Sequence, residues 1–168
     1  SNTKYNRGFV AYSKACFNQT SPTQLKLRFT MQLIIFSGVQ ASGKSTFYLE
    51  KFYKTHLRIN LDMLKTRHRE KIIFQACILG KAKCVIDNTN PTAADRAQYI
   101  QQAKHAGFEV IGYFFETDLK SALKRNQTRE GKACIADVFV CLIYKNLERP
   151  CFEEGFDLIY NVKILENQ

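Results

Sequence analysis

The residues of this chain best suited to chemistry begin with a glycine-rich run after a short apolar stretch. The run, Gly38-Val39-Gln40-Ala41-Ser42-Gly43-Lys44-Ser45-Thr46, matches the pattern G-x-x-x-x-G-K-[ST]. In this pattern glycines let backbone N–H groups converge on phosphate oxygens, and the start of the following helix adds positive potential. The run therefore predicts a binding site for a nucleoside triphosphate. The residues expected around the phosphates are Gly38, Ala41, Ser42, Gly43, Lys44, Ser45 and Thr46.

Two side chains of this run have distinct expected roles. The ammonium of Lys44 is expected to bridge the β- and γ-phosphates. The hydroxyl of Ser45 is expected to take one position around Mg²⁺, which otherwise keeps waters and phosphate oxygens. An ordinary glycine turn is the alternative. The apolar strand before the run and the helical pattern after it favour the phosphate loop.

Two carboxylates follow apolar stretches farther along the chain. Asp62 comes after the second stretch and Asp87 ends the third. The carboxyl ends of parallel strands gather at the ligand crevice, so both should face the phosphates. Asp62 could accept the proton of an attacking hydroxyl as a general base, or it could cap the next helix. Asp87 could stand beside the metal with Ser45, or it could be a turn residue.

Three short polar residues, Asn88, Thr89 and Asn90, come directly after Asp87. They could position a substrate, or they could shape the turn and cap the next helix. Asn90 followed by Pro91 is typical of a helix start, with asparagine as the cap and proline at the first helical position.

The elements that must position these residues alternate between strands and helices. The apolar patterns predict strands over 32–37, 57–61, 83–87, 108–115 and 158–164. They predict helices from the glycine loop to about 54, over 63–79, from 90 to 107, and over 119–129 and 136–147. This alternation predicts an α/β fold, a five-stranded parallel sheet with helices on both faces. With the glycine loop, this architecture is expected of a P-loop NTPase.

Composition narrows the classes of partner. The chain has 168 residues, with 25 Lys and Arg against 15 Asp and Glu, and a formal net charge of +10. Five of the basic residues and no acid lie in 1–30. We therefore predict a basic extension there, in which Ser1-Asn2 looks like a protease scar, and one P-loop domain over 31–168. The charge favours an anionic partner, with nucleic acid first. No apolar run approaches the ~20 residues of a membrane helix.

The remaining expectations concern location and partners. No apolar signal segment is visible near the start, and no pair of the six cysteines has C-x-x-C spacing. Reduced thiols in a cytoplasmic protein are therefore expected. Nothing in the sequence indicates an obligate protein partner.

The run Val85-Ile86-Asp87-Asn88-Thr89-Asn90-Pro91 resembles the kinase domain of polynucleotide 5′-kinase/3′-phosphatase proteins and the related group of P-loop ATPases and kinases. The resemblance covers about 31–164. The other matching segments are Arg96-Ala97-Gln98-Tyr99-Ile100, Ala106-Gly107, Asn60-Leu61-Asp62, Arg125-Asn126-Gln127-Thr128-Arg129, Gly131-Lys132 and Glu154-Gly155-Phe156-Asp157.

The resemblance implies transfer of the γ-phosphate of ATP to the 5′-hydroxyl end of DNA or RNA, with Mg²⁺. Asp62 would be the general base, and Asp87 would lie near metal and acceptor. Arg125 and Arg129 would belong to a helical lid over ATP, with Arg129 stabilising the charge of the transferred phosphoryl group. With Lys44, these residues form the predicted catalytic set.

The acceptor is where the sequence departs from the family. Leu61 stands where the family often has an arginine that grips acceptor phosphate, and Lys65, one turn later, lacks the bidentate fork. A kinase for a nucleoside, a sugar or an antibiotic is therefore the alternative, and an ATP-gated module without catalysis is the third possibility. Lys65, Arg67 and Arg69 could line a basic groove or form a solvated helix face.

Overall fold

The computed structural model describes residues 8–14, 31–129 and 134–165. The strands are β1 (Gly8–Lys14), β2 (Gln32–Ser37), β3 (Leu57–Ile59), β4 (Cys84–Ile86), β5 (Glu109–Phe115) and β6 (Leu158–Leu165). The helices are α1 (Lys44–Lys51), α2 (Leu61–Leu64), α3 (Arg67–Leu79), α4 (Ala93–His105), α5 (Leu119–Gln127) and α6 (Asp137–Lys145), with a 3₁₀ turn at Phe152–Glu154. None of the helices in these ranges is both long and apolar enough to cross a membrane.

The predicted five-stranded parallel sheet is confirmed. Strands β3, β4, β2, β5 and β6 lie side by side in that order, and every neighbouring pair is parallel. The central strand β2 is apolar along its length because it is covered on both faces. Leu33 and Ile35 pack in a core with α3 and α4, whereas Ile34 and Phe36 pack in a second core with α1. The carboxyl end of β2, where the glycine loop begins, is thus held from both sides.

A sixth strand extends the sheet beyond the prediction. Strand β1 pairs antiparallel with β6, with Phe9 opposite Ile164. It comes from the segment that we predicted as a basic extension, although its residues Phe9, Val10 and Tyr12 are typical strand formers. The rest of that segment, 1–7 and 15–30, lies outside the described residues.

The predicted helix over 63–79 is wrong in its boundaries, because it is two helices. Asn60 caps α2, its Oδ1 accepting from the backbone N–H of Met63 at 3.1 Å. Lys65 then takes a left-handed φ of 70°, which ends α2. Thr66 caps α3 by accepting from the N–H of Arg69 at 3.2 Å. Asp62 therefore lies inside α2 and is not its cap.

The predicted start of α4 is also wrong. The cap is Thr92, which forms a reciprocal capping box with Asp95. Asn90 adopts a φ of 39° and directs its amide to the carbonyl of Phe36 at 2.7 Å. Asn90 thus fastens the loop to β2 and does not begin the helix.

Candidate active site

The glycine loop connects β2 to α1, and the side chain of Lys44 lies inside it. The ammonium donates to the carbonyls of Gly38 at 2.8 Å and Val39 at 2.5 Å, and to Ser42 Oγ at 3.3 Å. Burial lowers the pKa of Lys44 to about 8; the charge of Asp87 opposes this shift and that of Arg129 adds to it. The ammonium is thus bonded to backbone carbonyls of the run that the sequence predicts to bind phosphate.

Glycine is required at both ends of the loop for steric reasons. A Cβ on Gly38 would lie 2.9 Å from the Cβ of Phe115, closer than packed carbons approach. Gly43 has a φ of 90°, and a Cβ there would meet Ile164 at 3.0 Å. Residues on β5 and β6 therefore shape the loop, while Ser45 and Thr46 are exposed on the first turn of α1.

Ser45 and Asp87, which the sequence predicts as a metal pair, are in contact, and their binding of a metal stays a prediction. The Ser45 hydroxyl donates to Asp87 Oδ2 at 3.3 Å, and Asp87 is 2% exposed. Within the described ranges there is no cluster of three or more His, Cys, Asp or Glu that could hold a metal. Mg²⁺ commonly uses one or two protein oxygens and takes its other ligands from water and phosphate. The donor chemistry of this pair fits that ion.

Arg58, on β3, is a site residue that the sequence analysis missed. Its Nε and Nη2 donate to Asp87 Oδ2 at 2.8 and 2.6 Å, and Nη2 also donates to Ser45 Oγ at 2.8 Å. The guanidinium lies over the ring of Tyr48, 5.4 Å from its centroid. A charged residue inside a short apolar strand that ends at the crevice was the signal that could have revealed it.

Asp62 is presented on α2, which is tied to the loop after β4. Asn60 Nδ2 donates to the carbonyl of Asp87 at 2.5 Å, and the N–H of Leu61 donates to Asn88 Oδ1 at 2.8 Å. Asp62 itself is exposed, and Lys65 Nζ bonds its carbonyl. The charges of Asp62, Asp87 and Arg129 all act on Lys44. The contacts of Asn60 and Leu61 therefore hold the helix of Asp62 against the loop that carries Asp87.

The side chain of Asn88 has protein partners at both ends, and Asn90 is buried. Asn88 Nδ2 donates to Glu70, a carboxylate that is 3% exposed and also accepts from Arg67 at 2.8 Å. The carbonyl of Thr89 accepts from the N–H of Gly38 at 3.0 Å. These contacts fasten the 88–90 loop to α2, α3 and the glycine loop, and a contact of this loop with substrate stays a prediction. Glu70 was not recognised from the sequence, because an isolated acid on a polar helix gives no signal.

Arg96 is a buried side chain that contacts the backbone of the same loop. Its side chain is fully buried, and it pairs with Glu154 at 2.7 and 2.8 Å. It also donates to the carbonyls of Asn90 at 3.0 Å and Glu148 at 3.1 Å. The two segments around Arg96 and Glu154, both of which carry the family resemblance, are thus joined by a buried ion pair next to the 88–90 loop.

The two predicted lid arginines lie at the end of α5. Arg125 Nε donates to the carbonyl of Ala41 in the glycine loop at 2.8 Å. Arg129 follows α5, and its N–H donates to the carbonyl of Asn126 at 3.1 Å. Asn126 Nδ2 bonds the carbonyl of Ile135 at 2.6 Å, which joins α5 to the start of α6. Residues 131 and 132 of the predicted lid lie outside the described residues.

A cleft of about 730 Å³ has Arg125 in its wall. It lies between α5, α6 and the ends of β5 and β6, and Arg125 lies both on its wall and against the loop. Its volume is in the range of small-molecule sites. Among the residues that line it are Phe114, Thr117, Asp118, Tyr144 and Arg149.

Comparison with known proteins agrees with this geometry. A family model described as AAA domain matches residues 64–138, less than half of the chain. A gluconokinase from Sinorhizobium meliloti 1021 superposes with a TM-score of 0.57, 15% identity, 83% of this chain and 86% of that one. Chaetomium thermophilum Kti12 in complex with ADP-AlF3 superposes with a TM-score of 0.56, 18% identity, 77% of this chain and 87% of that one. The chain thus has the fold of a P-loop kinase, as predicted.

Sequence comparison gives the nearer similarity. A protein of Acanthamoeba polyphaga mimivirus, described as a candidate bifunctional polynucleotide phosphatase/kinase, is 28% identical over 139 residues, 78% of this chain and 33% of that protein. The bifunctional polynucleotide phosphatase/kinase of Schizosaccharomyces pombe is 23% identical over 149 residues, 86% of this chain and 36% of that protein. The chain spans about a third of the length of these curated relatives. The resemblance to polynucleotide kinases is confirmed.

Proposed function

We propose that this chain binds ATP and transfers its γ-phosphate to the 5′-hydroxyl end of a polynucleotide. The observation that supports this most is the set of contacts at the glycine loop: the loop holds Lys44, Ser45 bonds Asp87, and Arg125 bonds Ala41. Asn60 ties α2, the helix of Asp62, to the carbonyl of Asp87. A phosphate-binding cation, an exposed carboxylate and an arginine are the groups that phosphoryl transfer to a hydroxyl requires. The similarity to polynucleotide kinases supports the acceptor.

In this proposal each site residue has one role in the transfer of the phosphoryl group. Lys44 leaves the loop carbonyls and bonds phosphate oxygens. The exposed carboxylate of Asp62 accepts the proton of the attacking hydroxyl. Arg125 and Arg129 place positive charge over the phosphates, which spread negative charge during transfer. Ser45 and Asp87 would hold Mg²⁺, which when bound neutralises phosphate charge.

The surroundings of Asp62 support a large acceptor. Met63, the next residue in the chain, is 64% exposed, and Lys65 and Arg69 are also exposed. Lys65 Nζ donates to the carbonyl of Asp62, and Arg69 Nη1 donates to the carbonyl of Leu64 at 3.3 Å. An exposed base can be reached by the end of a long chain, and exposed lysine and arginine can contact its phosphates. Lys65, which ends α2, and Arg69, on α3, are the residues that would do so.

A small-molecule kinase is the second candidate. Leu61 favours it, because this residue presents no cation to an acceptor phosphate next to the base. The two candidates differ in salt dependence, since polynucleotide binding weakens steeply as salt rises and binding of a neutral acceptor does not.

The deciding experiment offers γ-labelled ATP and Mg²⁺ with 5′-hydroxyl DNA, 5′-hydroxyl RNA and a nucleoside pool side by side. We expect label on an oligonucleotide, lost in Asp62→Asn and kept in Glu50→Gln, a matched change of an exposed carboxylate on α1. Label in the nucleoside pool alone would move the protein to the second candidate. ATP binding with no labelled product would contradict both and leave an ATP-gated module.

A further inference from the structure

Arg58 occupies the position between the two residues proposed to hold Mg²⁺. Its Nη2 contacts both Asp87 Oδ2 at 2.6 Å and Ser45 Oγ at 2.8 Å. Its Nε makes a second bond to the same carboxylate oxygen at 2.8 Å. One oxygen of Asp87 thus receives two guanidinium N–H groups and the serine hydroxyl.

The ion pair between Arg58 and Asp87 is largely shielded from solvent. The side chain of Asp87 is 1% exposed and that of Arg58 is 23% exposed. Oδ2 of Asp87 is therefore in contact with the guanidinium and the serine hydroxyl rather than with solvent. The ring of Tyr48 lies under the guanidinium at 5.4 Å and holds it by a cation–π contact.

The charges of the region explain when the guanidinium would leave. Lys44 and Arg58 are both close to Asp87, so a divalent ion added alone would gather positive charge around one carboxylate. The phosphates of a nucleotide supply the negative charge that can hold the ion, Lys44 and a displaced guanidinium together.

We propose that Arg58 holds the cation position until a triphosphate binds, so that Mg²⁺ enters the Ser45–Asp87 pair only together with the nucleotide. This inference rests on the proposed function, since it assumes that the loop binds a triphosphate. It makes Arg58 a positioning residue that sets the order of assembly of the site.

The test measures binding of Mn²⁺, a paramagnetic substitute for Mg²⁺, to the protein without nucleotide by electron paramagnetic resonance. A charge in contact with a carboxylate changes its affinity for a proton by about one to three powers of ten. We therefore expect Arg58→Met to bind Mn²⁺ at least about tenfold more tightly than the wild type. Adding Asp87→Asn should abolish the gain, and Lys104→Met, which removes a distant exposed ion pair with Asp157, should not produce it.

A second variant and a second readout keep the test decisive. Arg58→Lys keeps the charge but loses the bidentate guanidinium, so we expect an intermediate Mn²⁺ affinity. If circular dichroism shows that Arg58→Met is unfolded, the Arg58→Lys variant takes its place in the test. Mg²⁺ without ATP should raise the melting temperature of the variant and leave that of the wild type unchanged. Equal Mn²⁺ affinity in wild type and folded variant would overturn the inference.

The outcome is separable from that of the proposed function. If the wild type fails to bind ATP with Mg²⁺, the proposed function is contradicted, whatever Arg58→Met does without nucleotide. If ATP binds with Mg²⁺ and the variant gains no cation affinity, only the role of Arg58 is contradicted.

Discussion

Replacing Asn88 with aspartate tests how Asp62 is held in place. The change keeps the shape of the side chain and keeps Oδ1 as acceptor for the N–H of Leu61, now at 2.8 Å. It replaces the amide that donates to Glu70 with a second carboxylate oxygen. Glu70 is 3% exposed, so solvent does little to screen the two negative charges.

The expected loss of stability follows from two effects. A hydrogen bond to a charged group contributes about 1.5–3 kcal/mol, and burying two facing carboxylates adds a further cost. Arg67, 2.8 Å from Glu70, offsets part of it. We expect a loss of about 3 kcal/mol, which for a chain of this size lowers the melting temperature by roughly 6–12 °C.

The assay is thermal unfolding at several pH values, with kinase activity alongside. Protonation of one carboxylate removes the repulsion, so the deficit should shrink as the pH falls toward 4. The rate at saturating ATP should fall, because repulsion from Glu70 displaces residue 88, whose Oδ1 accepts from Leu61 beside Asp62. ATP binding should stay unchanged. Gln98→Glu, which adds the same charge on the exposed face of α4, should be near neutral. A variant melting within about 2 °C of the wild type, or a deficit independent of pH, would refute this account of Asn88.

Three further predictions address ionisable groups. Because the pKa of Lys44 is lowered to about 8, ATP affinity should weaken as the pH rises above 8, by up to about tenfold per unit, and Lys44→Met should show no such dependence in a binding titration. Burial lowers the pKa of His56 to about 4, and its Nε2 has no partner among the described residues. The fold therefore favours the neutral ring, so the free energy of unfolding should fall as the pH drops from 6.5 toward 4. His56→Phe should flatten that slope, and equal slopes would count against it. Arg96→Met, which strands a buried Glu154, should cost about 3–5 kcal/mol in denaturant unfolding, whereas Lys104→Met should cost less than about 1 kcal/mol; similar costs would contradict the burial argument.

Several elements of this site could be predicted because their signals are local. The glycine loop is one continuous run that can be recognised from its own residues, although the side chains that exclude a Cβ at Gly38 and Gly43 come from β5 and β6. Asp62 and Asp87 follow apolar strands, and the parallel arrangement then requires their ends to meet at one edge. The start of α4 was mispredicted, because Asn90 and Thr92 are both good caps and only the contact of Asn90 with Phe36 decides between them.

The sequence by itself determined the alternation of strands and helices, the phosphate loop and the edge of the sheet where its carboxylates gather. These features depend on apolar periodicity and backbone freedom over a few neighbouring residues. The tertiary structure decided which side chains meet: Arg58 with Asp87, Asn88 with Glu70, and β1 with β6. Such partners are far apart in the chain, and only the order of the strands and the packing of the helices bring them within bonding distance.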